Sequence, residues 1–305
     1  MSELFHDGFE TGSHRGSVVV GVDGSDHADR AVGWAARQAV LEHRPLTLLH
    51  GFNPIGRTTW GALTLEGTDR YDLLHVLRRD ARTMLEDALT LAQKTEPGLE
   101  VHPVLVDADA RTALVDASRT ARLLVLGSRG RGSVSGLLLG SVSVAVAQLA
   151  LCPAVVCRPR PTGTRTHGVL VGADGSAASL PVIEFAFHQA ALRGVPLTVM
   201  HCFWEIVAAG RPTPDPPSDM QLLLAESVAG FAESYPDVEV HLELARGLVD
   251  QVLANQALTT ELLVVGRRHH AAVSRLLHTS MAAAVLERAA GTVAVVPEAE
   301  PVIPA

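Results

Sequence analysis

The chain has 305 residues, enough for about two domains of roughly 150 residues, each with a core of its own. A formal net charge of −8 excludes nucleic acid or an anionic membrane surface as the main partner and leaves room for a local basic site that takes one small anion. No apolar run approaches the ~18 residues of a membrane span, the N-terminal stretch lacks the apolar core of a signal peptide, and Cys152, Cys157 and Cys202 have no metal-ligand spacing, so the chain reads as a cytoplasmic protein with reduced thiols.

Residues 1–15 are polar and acidic and are expected to form a flexible tail. Residues 17–22 read as a strand that is apolar along nearly its whole length, as suits one covered on both faces, and it ends in Asp23-Gly24-Ser25. Ser25 or Asp26 is placed to cap the amphipathic segment 28–42, in which Ala31, Trp34, Ala35 and Ala39 share one face. A second strand is expected at 46–50, a long loop at 52–70, a helix at 71–94 stopped by Pro97-Gly98, a third strand at 101–106 and a helix at 110–121. The next apolar run, 123–126, ends at Gly127 and leads through a loop rich in glycine and serine into an apolar-periodic helix at 142–150; Pro153 closes that helix, and 154–157 is a fifth strand. Strands alternating with helices argue for an α/β domain on a parallel, doubly wound sheet.

A proline-rich linker at 161–166 follows, and the pattern restarts. Strand-like runs recur at 168–173, 197–201, 238–245, 262–266 and 293–297, and the first of them again ends in Asp-Gly-Ser, at Asp174-Gly175-Ser176. The chain therefore divides into a first domain at 16–160, a second at 167–298 and a short tail at 299–305, a tandem duplication rather than a solenoid.

The loop after the fourth strand has the spacing Gly127-x2-Gly130-x9-Gly140-Ser141 and carries Arg129 and Arg131. Glycines let backbone N–H groups approach a ligand, and the start of the next helix offers unpaired N–H groups with partial positive charge, which together make a phosphate site. The spacing is neither the Gly-Lys-Ser/Thr phosphate loop nor the dinucleotide fingerprint. Aligned without a gap, the second half keeps Gly127 as Gly266 and Ser141 as Ser280, but has His269 for Gly130, Arg275 for Gly136 and Thr279 for Gly140. If Gly130 and Gly140 stand at positive φ, each replacement costs on the order of 1–2 kcal/mol, so the second half is expected to have lost the geometry. Asp23 reads either as a turn or helix cap or as a ligand contact, and Arg129 and Arg131 either as solvated loop charges or as phosphate contacts. Asp174, without a companion phosphate loop, reads as structural. His269, His270 and His278 have no carboxylate or cysteine at ligand spacing, and no metal site is assigned to them.

With the two Asp-Gly-Ser strand ends, the glycine spacing and the five-strand alternation in each half, the chain resembles the universal stress protein family in its tandem form, over about 16–160 and 166–297. The resemblance implies two tandem Rossmann-like domains of the adenine nucleotide alpha hydrolase-like kind, each a five-stranded parallel sheet of order 3-2-1-4-5 flanked by helices. It also implies a family that divides, by this glycine motif, into members that bind ATP and members that do not. Carried over residue by residue, Asp23 would meet the adenine–ribose end and the backbone near Gly51 would line the adenine. Gly127 and Gly130 would lie along ribose and phosphates, while Gly140 and Ser141 would hold the terminal phosphates of ATP, accompanied by Mg2+. The family also dimerises through its last strand, so 154–157 and 293–296 are expected to pair within one molecule, with a homodimer of chains as a further form. The implied role is nucleotide-dependent regulation of a stress response through a protein partner that the sequence does not name. A scaffold that binds no nucleotide and a slow ATPase or phosphotransferase are the alternatives. No catalytic residue is assigned, because the loop has no lysine and neither a water-activating base nor a second acidic metal ligand is identifiable near Ser141.

Overall fold

The computed structural model describes residues 6–7, 15–53, 68–131, 139–161, 163–164, 166–204, 218–267 and 281–299. The chain divides into two units, Met1–Cys157 and Arg158–Ala305. The histidines at 269, 270 and 278, Arg275, Thr279, Ser280 and Gly136 lie outside the described residues.

In the first unit the strands are β1 (His6–Asp7), β2 (Val18–Gly21), β3 (Leu46–Gly51), β4 (Val101–Val106), β5 (Leu123–Gly127) and β6 (Ala154–Cys157). They lie in the order β1-β4-β3-β2-β5-β6, all parallel, so the five repeated strands take the expected order 3-2-1-4-5 and β1 adds a short edge strand beside β4. Val18, Val19 and Val20 and Leu123 to Leu126 are buried almost completely, which is why these strands read as continuous apolar runs. The helices are α1 (Asp26–Leu41), α2 (Thr68–Thr95), α3 (Ala110–Ala117) and α4 (Ser141–Leu149). Ser25 caps α1 by accepting from the Ala28 N–H at 3.2 Å, and Ala28, Ala31, Val32, Ala35, Ala36 and Ala39 bury the inner face; Trp34 is half-buried at its margin. Helix α2 starts three residues earlier than its apolar period suggests and buries Ala81, Leu85, Ala88 and Ala92 at helical spacing. On one face of the sheet, Val19, Leu49, Val104 and Leu124 pack with Ala113, Leu114 and Ala117 of α3 and Val146 of α4.

The second unit repeats the design with β7 (Val169–Gly172), β8 (Leu197–Phe203), β9 (Val240–Arg246), β10 (Leu262–Arg267) and β11 (Val293–Pro297), again parallel and ordered β9-β8-β7-β10-β11. Its helices are α5 (Leu180–Arg193), α6 (Ser218–Ser234), α7 (Val249–Gln256) and α8 (Met281–Arg288). Here Pro181 sits in the first turn of α5, and a short 3-10 turn, Ala177–Ser179, precedes it where α1 begins directly on its serine cap. Phe187 of α5 is fully buried, with ring centroids 5.7 Å from Phe231 and 5.8 Å from Tyr235. None of the three cysteines is in a disulfide, and burial pushes the Cys152 thiol up to about 12.

Candidate functional site

A parallel sheet of this order reverses direction between its first and fourth strands, and the crevice outside their carboxyl ends is where such folds take ligands. In the first unit that crevice, beyond β2 and β5, is a cavity of about 530 Å³. Asp23, Gly51, Gly127, Gly130, Gly140 and Ser141 all line it, together with Arg129 and Arg131.

Asp23 joins the two sides of the cavity. Its Oδ1 accepts from the Ser25 N–H at 3.1 Å and the Ser25 hydroxyl at 2.7 Å, closing the turn at Gly24, which stands at φ +70°. Its Oδ2 accepts from the Arg131 N–H at 3.1 Å and so reaches the glycine loop 108 residues away. The carboxylate that closes the turn also faces the cavity. The Arg131 guanidinium lies 3.0 Å from Met84 Sδ on α2.

The glycines are needed for closeness, not for positive φ. Gly130 and Gly140 are not among the positive-φ residues, which corrects the conformational premise of the sequence comparison. A Cβ on Gly127 would come within 2.6 Å of the His27 backbone, and one on Gly51 within 2.7 Å of the backbone N and Cα of Ala110. A Cβ on Gly130 would stand 2.5 Å from Asp23 Oδ2. Gly140 is different: it is extended, at φ −78° and ψ 147°, and a Cβ there would meet only ordinary contacts, the nearest Arg129 Cα at 3.4 Å. It is the N-cap of α4 and brings no side-chain acceptor to the first-turn N–H groups, so the positive end of that helix is presented to the cavity beside Ser141. The neighbouring Ser143 hydroxyl is turned inward and donates to the Gly127 carbonyl at 2.7 Å.

Several residues at the site escape a reading based on glycine spacing. Asp109 lines the far wall and caps α3. Its carboxyl is held below the usual carboxylate value by the Thr112 hydroxyl first, then by the Thr112 and Arg111 N–H groups. Its position just before a predicted helix was signal enough to find it. His50 is buried and its Nδ1 lies 2.7 Å from the Val22 carbonyl, an arrangement repeated by His201 Nδ1 and the Ala173 carbonyl at 3.1 Å. His27 Nδ1 is 3.0 Å from the Ser128 hydroxyl, and burial first, then the charge of Arg129, pushes its imidazole below the usual histidine value. No periodicity or motif marks that pair.

Comparison with known proteins decides the family. The model of the universal stress protein family matches residues 14–158 and, a second time, residues 166–297. The chain belongs to the universal stress protein family. It is 33% identical over 287 residues to a universal stress protein of Mycolicibacterium smegmatis, covering 92% of this chain and 96% of that one. It is 34% identical over 285 residues to a universal stress protein of Mycobacterium tuberculosis, covering 89% and 93%. The crystal structure of a universal stress protein from Archaeoglobus fulgidus superposes with a TM-score of 0.68 at 20% identity, over 92% of this chain and 98% of that chain, a likeness of fold.

In this tandem universal stress protein the second unit has a cavity of its own, about 330 Å³, at the corresponding strand ends. Asp174 keeps the turn of its counterpart, with Oδ1 accepting from the Ser176 N–H at 3.0 Å and Gly175 at φ +75°. Gly172, His201 and Gly266 also keep the residues of Gly21, His50 and Gly127, while Cys202, Met200, Val249, Arg267, Met281 and Glu298 differ from the first lining. Among the described residues no group of three His, Cys, Asp or Glu is placed to hold a metal ion, and no helix is long and apolar enough to cross a membrane.

Proposed function

We propose that the first unit binds an adenine nucleotide, ATP in the first place, and that binding there regulates a protein partner. The observation that carries this reading is the uncapped N-terminus of α4 opening into the 530 Å³ cavity, beside a loop crowded by the His27 backbone at Gly127 and by the Asp23 carboxylate at Gly130. An anion is stabilised at such a helix end by oriented N–H groups and by the macrodipole. In this reading the phosphates sit at Gly140 and Ser141 with Arg129 and Arg131 near, the ribose lies along Gly127 toward Asp23, and the base enters between Gly51 and the start of α3. The lining is charge-balanced, Arg129 and Arg131 against Asp23 and Asp109, so the basic groups gather at the phosphate end without making the cavity cationic as a whole. A magnesium ion would come with the phosphates, which supply the oxygen ligands it prefers.

Titration calorimetry of magnesium–ATP into the full-length chain tests this. One site per chain is expected. No heat, together with no nucleotide released on denaturing the purified protein, would overturn the assignment and leave the scaffold reading.

A further inference from the structure

The second cavity stands at the same strand ends as the first but is lined differently. Leu46 and Leu197 each face the first residue of the first strand of their sheets, so Cys202 stands where the first unit has Gly51, and Trp204 where it has Asn53. The helix after the third strand is capped by Asp109 in the first unit and starts at Leu248 in the second, which has no side-chain cap bond to offer. Val142 is answered by Met281, which also lines the cavity.

The charge of the polar floor differs as well. Glu298 follows β11 and is tied back by its N–H to the Arg267 carbonyl at 3.1 Å, while the Ala299 N–H donates to the Ala178 carbonyl at 3.1 Å. This turn lays the Glu298 carboxylate in the space beside Gly266 that a Cβ would need, the place along which the first unit's reading runs ribose and phosphate. Among the described lining residues, one cation, Arg267, stands against two carboxylates, Asp174 and Glu298, where the first cavity is balanced. An anion is disfavoured in such a floor. The walls are apolar, with Val182 and Met200 buried, and burial pushes the Cys202 thiol up to about 11. At the same strand ends Trp204 is 65% exposed, Leu248 52% and Met281 38%, an apolar margin of the kind that accompanies ligand sites.

We infer that the second unit is a binding site for a small apolar molecule without negative charge, separate from the nucleotide site of the first unit. At about 330 Å³ the cavity falls at the small end of ligand sites.

The test uses two dyes that share one ring system. N-phenylnaphthylamine is uncharged, and anilinonaphthalene sulfonate is the same skeleton with a sulfonate. Titrated into the full chain under saturating magnesium–ATP, the neutral dye is expected to bind at one site per chain, with the same affinity when ATP is omitted, and to receive energy from tryptophan less efficiently in Trp204→Phe. The sulfonate should bind about tenfold more weakly, and Glu298→Gln should narrow that gap. Val249→Trp, at the first position of α7, fills the cavity from its half-exposed wall and should abolish neutral-dye binding. The inference is overturned if the neutral dye does not bind, if it is displaced by ATP, if both dyes bind alike, or if Trp204→Phe leaves the energy transfer unchanged. Loss of ATP binding by the first unit would leave the comparison of the two dyes, the Glu298→Gln effect and the Trp204→Phe energy transfer intact, so the two assignments fail separately.

Discussion

Replacing Gly140 with aspartate separates the stability of the first unit from its ligand chemistry. The residue is extended at φ −78°, and a Cβ there meets Arg129 Cα at 3.4 Å, the Ser128 carbonyl at 3.5 Å and Gly130 N at 3.7 Å, so a side chain fits without moving backbone. An aspartate at this N-cap would also accept from the first turn of α4 and favour the helix, for a gain of about 0.5 kcal/mol. For a bound phosphate the same change is costly. Two unit charges about 4 Å apart repel by about 4 kcal/mol at the effective dielectric of a protein surface, and salt with partial exposure halves that to about 2 kcal/mol. Capturing a first-turn N–H removes about 1 kcal/mol more. The sum, about 3 kcal/mol, is about a hundredfold in affinity. Gly140→Asn takes the N–H without the charge, so it should lose only about fivefold. Calorimetry with magnesium–ATP reads the affinities, and urea unfolding checks that both variants stay at or slightly above the parent's stability. Affinity in Gly140→Asp within about threefold of the parent would refute the placement of phosphate at this helix end.

Gly130→Ala places its Cβ on Asp23 Oδ2 and should break the bond from the Arg131 N–H, weakening ATP by about tenfold in the same calorimetry with little change in unfolding midpoint. Gly51→Ala is the contrasting case, since its Cβ meets backbone atoms of Ala110; urea unfolding should show a loss of about 1–3 kcal/mol. Acidification should destabilise the first unit through His27: its folded value is depressed below 6.5, so the unfolded chain takes the proton first. That contribution is therefore whole above pH 6.5 and is lost as the pH falls through that value, until the folded imidazole titrates as well. His27→Gln should flatten this part of the stability profile, and a profile unchanged in slope would count against the partial burial of His27 beside Arg129.

The repeat, the strands and the glycine loop were legible because each rests on a local signal, whereas the strand order and the place of Gly51 came only through the family resemblance. Strands buried on both faces are apolar without interruption, as Val18 to Val20 are, and a serine before an apolar period caps a helix, as Ser25 does. The reason for the glycines was not legible. Spacing shows that Gly127 and Gly130 are glycine, but only the fold shows that His27 backbone and the Asp23 carboxylate crowd them, while the residue that uses positive φ is Gly24 in the turn. Glu298 was read as part of the end of the second domain, because nothing in its neighbourhood marks a side chain that folds back over Gly266. The Asp-Gly-Ser turn is kept in both units although their cavities differ, so it is a property of the fold and carries little weight as a sign of nucleotide.

The Asp23 carboxylate has a further consequence for how a sugar would be read. A carboxylate has about four lone-pair positions, and three donors already point at this one: the Ser25 N–H, the Ser25 hydroxyl and the Arg131 N–H. Room is left for one more. A ribose approaching Asp23 would therefore be recognised through a single hydroxyl unless Arg131 releases its hold, and a sugar missing that one hydroxyl would lose the whole contact rather than half of it.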